Sequence, residues 1–461
     1  MAGTGLVSRG LTKVRELVAS AAHFGKPPED DDLDRIRTQL QECAEGLGGE
    51  VSTRLRAGRL AETYLRLDDA GRHAFLKLIA HEFGPDPRQV ASAHEAYQAA
   101  VGTPAQWDAE ARLRGAMRSR RLRILTQFNA IPQGVKFLVD LRADLLRFLA
   151  EDPLLKPLDR ELETRLSAWF DVGFLELQRI TWSSPAALLE KLVEYEAVHE
   201  IRSWKDLKNR LDSDRRCYAF FHPRMPLEPL IFVQVALLEE VADNVQRLLD
   251  IEAPLADASR ANTAIFYSIS ATQKGLRGVS FGNFLLKRVI DDLKRDFPRL
   301  KTFATLSPIP GLVRWVQRNP EEFAHAITAT DWKRLAALGV AGTDTPVLAA
   351  MLEGNENAWA QDEALQQALR EPLLRLAARY LLEARRGDKP VDTVARFHLG
   401  NGARVERLNW MADKSDKGLQ QSWGMMVNYL YDPEHIEANL EDFAAKGRIA
   451  ASSGVRRLAR R

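Results

Sequence analysis

The run NTAIFYSISATQKGLRGVSFGNFLLKRVIDDLKRDFPRLKTFATLSPIPGLVRW, from Asn262 to Trp315, decides the fold class of this 461-residue chain. Ala264 to Ile269 sets two aromatics among β-branched residues, the composition of a buried strand. From Asn283 to Phe297, Leu285, Val289, Leu293 and Phe297 recur at every fourth position, which puts them on one face of an amphipathic helix, and Pro298 stops it. Lys301 to Leu306 reads as a second strand that delivers Ser307 to the C-terminal edge of a sheet, where open α/β folds tend to hold ligands. The unit is strand, loop, helix, strand.

The loop carries the first chemical signal. Gln273, Lys274, Gly275, Arg277, Gly278, Val279, Ser280, Phe281, Gly282 and Asn283 lead into the helix, whose first turn has free backbone N–H groups and a partial positive charge. Such a loop suits a diphosphate, because glycines let the backbone come close while Lys274 and Arg277 add charge. By spacing alone the same residues also make an ordinary tight turn.

Sixty-five Lys and Arg against 63 Asp and Glu leave a net charge of +2, so no global field favours nucleic acid or a membrane surface. Anion binding has to come from local patches. The length allows two to three domains, and an apolar content of 45% can bury a substantial core. Cys43 and Cys217 lie far apart, without the spacing of a metal site or a disulfide framework, so the expected metal content is none. No run of about 18 uninterrupted apolar residues occurs, and no N-terminal apolar run has the length of a secretory signal, so a cytoplasmic location is expected. Leu11 to Phe24 is weakly amphipathic, but the acidic run Glu29 to Asp34 follows it, which makes a transit peptide the lesser reading.

From about Ser8 to Arg165 the pattern is helical throughout. Leu138, Leu141, Leu145 and Leu149 form one stripe, and breakers fall at Gly84 to Pro87, Gly102 to Pro104 and Pro153 to Pro157, as in an antiparallel bundle. Six arginines fall between Arg112 and Arg123 and read as a solvated helix face or a subunit contact. After Trp169 the pattern turns mixed, with strands expected at Cys217 to Phe221 and Leu230 to Leu238 around a proline-rich turn holding His222 and Glu228. Those two invite a catalytic pairing, although such turns also use polar side chains to satisfy their own backbone. A helical stretch follows Trp315. Val391 to Phe397 and Arg404 to Trp410 then read as strands flanking an Asn401–Gly402 turn, which puts His398 at a strand tip. Gly424 to Tyr431 reads as a last strand.

The segment Arg277 to Asn283, RGVSFGN, resembles the diphosphate loop of the GNAT acyltransferase superfamily, with Ser280 where that superfamily usually has a glycine. Five runs in one order, FHPRMPLEPL (Phe221 to Leu230), FYSISATQKGL (Phe266 to Leu276), LSPIPG (Leu306 to Gly311), RFHLGNGA (Arg396 to Ala403) and LNWMAD (Leu408 to Asp413), resemble the malonyl-CoA decarboxylase family. The likeness is close over the C-terminal two-thirds and looser over the helical part. It implies an α+β multidomain fold: an all-α oligomerisation domain over 1–165, then a GNAT-like α/β catalytic domain over 166–461 with a mixed central sheet and a helical insertion at about 317–389. It also implies decarboxylation of malonyl-CoA to acetyl-CoA and CO2, with coenzyme A entering as part of the substrate and no separate cofactor. A homotetramer is expected. Lys274 and residues 277–283 would hold coenzyme A. Many eukaryotic members end in a peroxisomal Ser-Lys-Leu address, whereas this chain ends Leu458, Ala459, Arg460, Arg461.

By the same resemblance Ser307 and His398 are the catalytic pair. The reaction asks for a desolvated carboxylate, a stabilised enolate oxygen and a proton delivered to carbon. An imidazole, with an unperturbed pKa near neutrality, suits the last task, and the Ser307 hydroxyl can orient it or touch the departing carboxylate. Taken without the family, Ser307 followed by Pro308 also has the form of a helix N-cap, and His398 that of a turn histidine bonded to backbone. Asn428 and Tyr429 are further candidates for the acyl end. Two rival functions remain, a GNAT-type acyltransferase that needs an amine acceptor and a non-catalytic acyl-CoA sensor.

Overall fold

The computed structural model describes residues 30–46, 49–279, 285–340, 345–353 and 355–460. They fall into two compact units that are not contiguous in sequence: one takes the chain up to Leu175 together with His222–Pro226 and the segment beginning at Gln273, and the other takes Glu176–Phe221, Leu227–Thr272 and the chain from Leu285 onward.

The first unit is helical, with successive helices Asp30–Glu45, Glu50–Arg66, Asp69–Glu82, Pro87–Ala100, Gln106–Ala116, Arg121–Ala130, Gly134–Phe148 and Lys156–Trp169. Leu60, Phe75, Phe128, Leu138, Leu141, Leu162 and Leu166 are fully buried and form its interior. Asp68 and Asp86 cap two of the helices, Asp86 with Pro87 at the first helical position, as the residue preferences of helix starts require. The arginine run is not a uniform solvated face. Arg121 is buried, bonded to the Ala80 carbonyl and paired with Glu161. Arg123 binds the carbonyls of Ala44 and Glu45 at the end of the first of these helices, and Arg120 that of Glu82. Cations on helix-terminal carbonyls satisfy orphan acceptors and oppose the helix dipole. Arg112, Arg114 and Arg118 stay exposed.

The second unit is built on an eight-stranded mixed sheet. Its strands are β1 (Glu176–Ile180), β2 (Arg215–Phe221), β3 (Ile231–Leu238), β4 (Thr263–Ala271), β5 (Thr302–Thr305) and β6 (Ser307–Pro308); a separate hairpin, β7 (Arg385–Arg386) and β8 (Lys389–Pro390), precedes β9 (Arg404–Asn409) and β10 (Met426–Leu430). The order is β1-β2-β3-β4-β5-β10-β6, with β9 also paired to β10. Among the described strands only β4 and β5 pair in parallel, and the helix Leu285–Asp296 lies between them in the chain. That helix buries Leu285, Val289 and Leu293 as their spacing requires, and it ends just before Phe297 and Pro298. Between β6 and β9, helices cover Leu312–Arg318, Pro320–Ala326, Ala329–Ala337, Thr345–Glu353 and Glu363–Leu382.

Two local expectations are corrected. Val391 to Phe397 is no strand: Thr393–Leu399 is a helix, and His398 lies in its last turn. Asp392 supplies the deciding interaction, accepting the Ala395 N–H at 2.8 Å as an N-cap, which outweighs the β-branched residues that open the run. The Asn401–Gly402 turn exists, but it closes this helix rather than a hairpin. Ser307, in turn, caps no helix. It pairs across from Val427, Pro308 pairs with Met426 at the end of the sheet order, and the next helix opens at Leu312 behind Gly311. An edge strand tolerates a proline, which has no N–H to give to the ladder. Amides of a helix start therefore do not adjoin Ser307.

Candidate active site

β5 ends at Thr305 and β6 begins at Ser307, with Leu306 between them, and the helix Thr393–Leu399 brings in His398 from 91 positions downstream. Ser307 Oγ donates to Thr305 Oγ1 at 2.8 Å and lies 3.1 Å from His398 Nε2. His398 Nδ1 lies 2.7 Å from the Tyr431 hydroxyl. The imidazole is stacked on Tyr429, with ring centroids 4.5 Å apart and planes at 24°, and stands at 70° to the Tyr431 ring. Ser307 is 5% exposed and His398 3%.

One consistent set of hydrogen directions follows from these contacts. Ser307 gives its hydrogen to Thr305, whose oxygen also accepts the Tyr429 N–H at 3.1 Å, so Ser307 faces His398 with lone pairs. Nε2 then carries the ring hydrogen and donates to Ser307, while bare Nδ1 accepts from Tyr431. Burial disfavours the imidazolium and pushes His398 down to about 3. The expectation of a histidine titrating near neutrality is thereby corrected: desolvation dominates, and the side chain is a neutral Nε2–H tautomer at pH 7. Burial likewise holds the Tyr429 and Tyr431 phenols well above their usual range.

Asn428 and Tyr429 separate in role. The Asn428 amide donates to the carbonyls of Ala242 and Thr305 and accepts from Arg407 and Asn409, which spends it on binding strands together. Tyr429 lies against His398, and its hydroxyl is buried without a hydrogen-bond partner. Sequence reasoning missed Tyr431 and Thr305 as site residues. The available signal was the two-residue spacing of Tyr429 and Tyr431, which puts both on one face of a strand end.

The proline-rich turn supplies no catalytic pair. His222 Nδ1 accepts the Arg224 N–H and Nε2 lies 3.1 Å from the Trp169 carbonyl, so its ring is spent on backbone. Glu228 is paired with Lys191.

In the glycine loop, Lys274–Leu276 forms one 3-10 turn and leaves the Lys274 and Arg277 side chains exposed. The two described glycines are required by packing. A Cβ on Gly275 would overlap the Val139 carbonyl, and Gly278, at φ +88°, faces Glu163. Buried Arg142 donates to the carbonyls of Gly275 and Arg277, each at 2.8 Å, and pairs with Asp159. Val279 is buried, while Ser280, Phe281, Gly282 and Asn283 lie outside the described residues. Among the described residues no three His, Cys, Asp or Glu are gathered as metal ligands would be, and no helix is long and apolar enough to cross a membrane.

Comparison with known proteins gives one answer. Residues 173–461 match the model of the malonyl-CoA decarboxylase C-terminal domain, and residues 83–170 that of the N-terminal domain. The chain is 39% identical over 422 residues to the mitochondrial malonyl-CoA decarboxylase of Mus musculus, an alignment covering 86% of this chain and 82% of the relative. Its structure superposes on the crystal structure of malonyl-CoA decarboxylase from Rhodopseudomonas palustris with a TM-score of 0.84 and 41% identity, covering 92% of this chain and 99% of the other. The corresponding structure from Agrobacterium vitis gives a TM-score of 0.82 at 40% identity and the same coverage. This chain belongs to the malonyl-CoA decarboxylase family.

Proposed function

We propose that the protein converts malonyl-CoA to acetyl-CoA and CO2, with His398 as the proton donor to carbon and Ser307 as its partner at the acyl end. The observation that carries this reading is the meeting of Ser307 and His398 at 3.1 Å, in a water-poor setting, on a chain of this family. In the proposed reaction the bond between the α-carbon and the carboxylate breaks. Its electron pair moves into the thioester carbonyl as an enolate, and CO2 departs. The α-carbon then takes the Nε2 proton of His398, giving acetyl-CoA.

A neutral imidazole is a weak acid, but an enolate carbon is a far stronger base than the imidazolate it would leave. Once acetyl-CoA leaves, Nε2 is reprotonated from solvent while the Tyr431 hydroxyl keeps its hydrogen directed at Nδ1, so the starting tautomer is restored and the net reaction consumes one proton. Low polarity around the pair favours loss of a carboxylate charge as neutral CO2. Ser307, its hydrogen directed to Thr305, holds the Nε2–H until substrate displaces that contact. Lys274 and Arg277, both exposed cations, would meet the diphosphate of coenzyme A together with residues 278–283.

The chemistry itself asks for no metal or separate cofactor, because the thioester supplies the electron sink. The homo-oligomer is part of the same proposal and is supported by apolar side chains left exposed on the helical unit, Val101, Trp107 and Met117 among them. A cytoplasmic location, without nucleic-acid or membrane partners, completes it. Incubating pure protein with malonyl-CoA alone and following acetyl-CoA and CO2 tests the function. Product only on addition of an amine would indicate an acyltransferase, and binding without consumption a sensor. Light scattering on the purified chain tests the tetramer.

A further inference from the structure

Ser307 and His398 reach the site on separate elements, so something has to hold the two elements in register. We infer that Asp392 is the positioning residue that locks the Ser307 turn to the helix of His398. Its carboxylate is 2% exposed and sits where three segments meet. At the start of the helix Thr393–Leu399 it accepts the N–H of Ala395 at 2.8 Å, and that of Val394 as well. It also lies against Gly311, the residue closing the LSPIPG turn that begins at Ser307, with Oδ2 3.8 Å from where a Cβ on that glycine would sit, and accepts at 3.2 Å the Tyr380 hydroxyl from the helix Glu363–Leu382.

One carboxylate thus fastens the first turn of the seven-residue helix whose last turn holds His398 and the far end of the turn whose near end holds Ser307. Gly311 is needed for this approach, since a Cβ there would overlap the Tyr380 hydroxyl. The donors on this one acidic group offset part of its burial, which still raises its pKa, and that cost of desolvation makes the geometry hard to satisfy in any other arrangement. Asp392 itself has no bond to Ser307 or His398, so its influence passes through backbone position alone.

The test uses the full chain and rests on the decarboxylase reading. Asp392→Ser keeps a good N-cap for the helix but is too short to reach Gly311 and Tyr380 as well. It should lower kcat by about 100-fold, the scale of an ångström-level misplacement, with KM for malonyl-CoA unchanged. Asp392→Asn keeps the length but has one accepting oxygen in place of two, the other position becoming an N–H donor that faces a donor, so its kcat should fall between wild type and Asp392→Ser. Near-native kcat in folded Asp392→Ser would overturn the inference. So would wild-type kcat in folded Asp392→Asn, which would mean that the second accepting oxygen holds nothing in place. If Asp392→Ser does not fold, Tyr380→Phe decides: it removes one of the carboxylate's donors, and a kcat equal to wild type would count against the assignment, whereas a fall of about threefold or more at unchanged KM supports it. Should wild type itself release no CO2 from malonyl-CoA, the functional reading fails first; should Ser307→Ala and His398→Asn lose turnover while Asp392→Ser does not, this inference alone fails.

Discussion

His222 and His398 are both buried histidines beside turns, and sequence pattern treats them alike. His222 is 7% exposed and packs against Phe170, with both ring nitrogens engaged by backbone groups of Trp169 and Arg224. His398, equally shielded, is held by two hydroxyl side chains and stacked on a third phenol. Burial therefore does not separate a structural histidine from the one proposed to be catalytic. The partners do: a backbone amide cannot pass a proton on, whereas the Tyr431 and Ser307 hydroxyls can give up one hydrogen while taking another.

The sharpest way to break this contrast is to remove each ring in turn. His398→Asn should lower decarboxylation by about 100-fold or more, and Ser307→Ala by a similar factor, with coenzyme A affinity largely kept in both. His222→Asn should leave kcat of the folded enzyme unchanged and cost stability instead, about 1–3 kcal/mol by denaturant titration. Equal kinetic losses at both histidines would erase the distinction. A smaller effect is expected at Tyr431→Phe, about tenfold in kcat, because Nδ1 loses the donor that defines the tautomer.

Acidity gives a further test. Because the donor form proposed for His398 is neutral and burial pushes its pKa down to about 3, the profile of kcat/KM should show no inflection near 6.5 from this residue. A wild-type inflection there that disappears in His398→Asn would contradict the neutral-donor mechanism. The same shift links to stability. An unfolded chain protonates His398 as pH falls below about 6.5, and the folded chain does not, so stability is lost as pH drops from there toward 3. His199, lowered by burial to about 4, adds to the same slope. His398→Asn should flatten the acid side of the unfolding midpoint against pH.

Smallest of all should be the loop cations. Lys274→Ala and Arg277→Ala should each raise KM by about fivefold at most, as exposed ion contacts do, and leave kcat unchanged. A fall in kcat without a change in KM would remove them from the diphosphate.

Much of the site was readable before any coordinates. The buried strand Ala264 to Ile269, the helix face of Leu285, Val289 and Leu293 and the strand leading to Ser307 all follow from residue periodicity, which needs only near neighbours along the chain. The segment around His398 misled because Val391, Thr393 and Val394 favour strand while a single cap at Asp392 tips the balance to helix. Half of the arginine run misled in the other direction. Arg121 and Arg123 look like solvent charge in sequence, yet they serve carbonyls contributed by helices about 40 and 80 positions earlier.

Sequence by itself determined the family, the order of the motifs and the identity of the two side chains on which the proposed chemistry depends, because those reside in local residue types. Tertiary structure alone decided that the imidazole is dry, so that its cationic form is disfavoured, that Tyr431 and Thr305 extend the hydrogen-bonded chain through Ser307, and that Asp392 lies at the start of the helix of His398. Desolvation and hydrogen-bond direction are sums over atoms brought together from distant parts of the chain, and no window of sequence contains them.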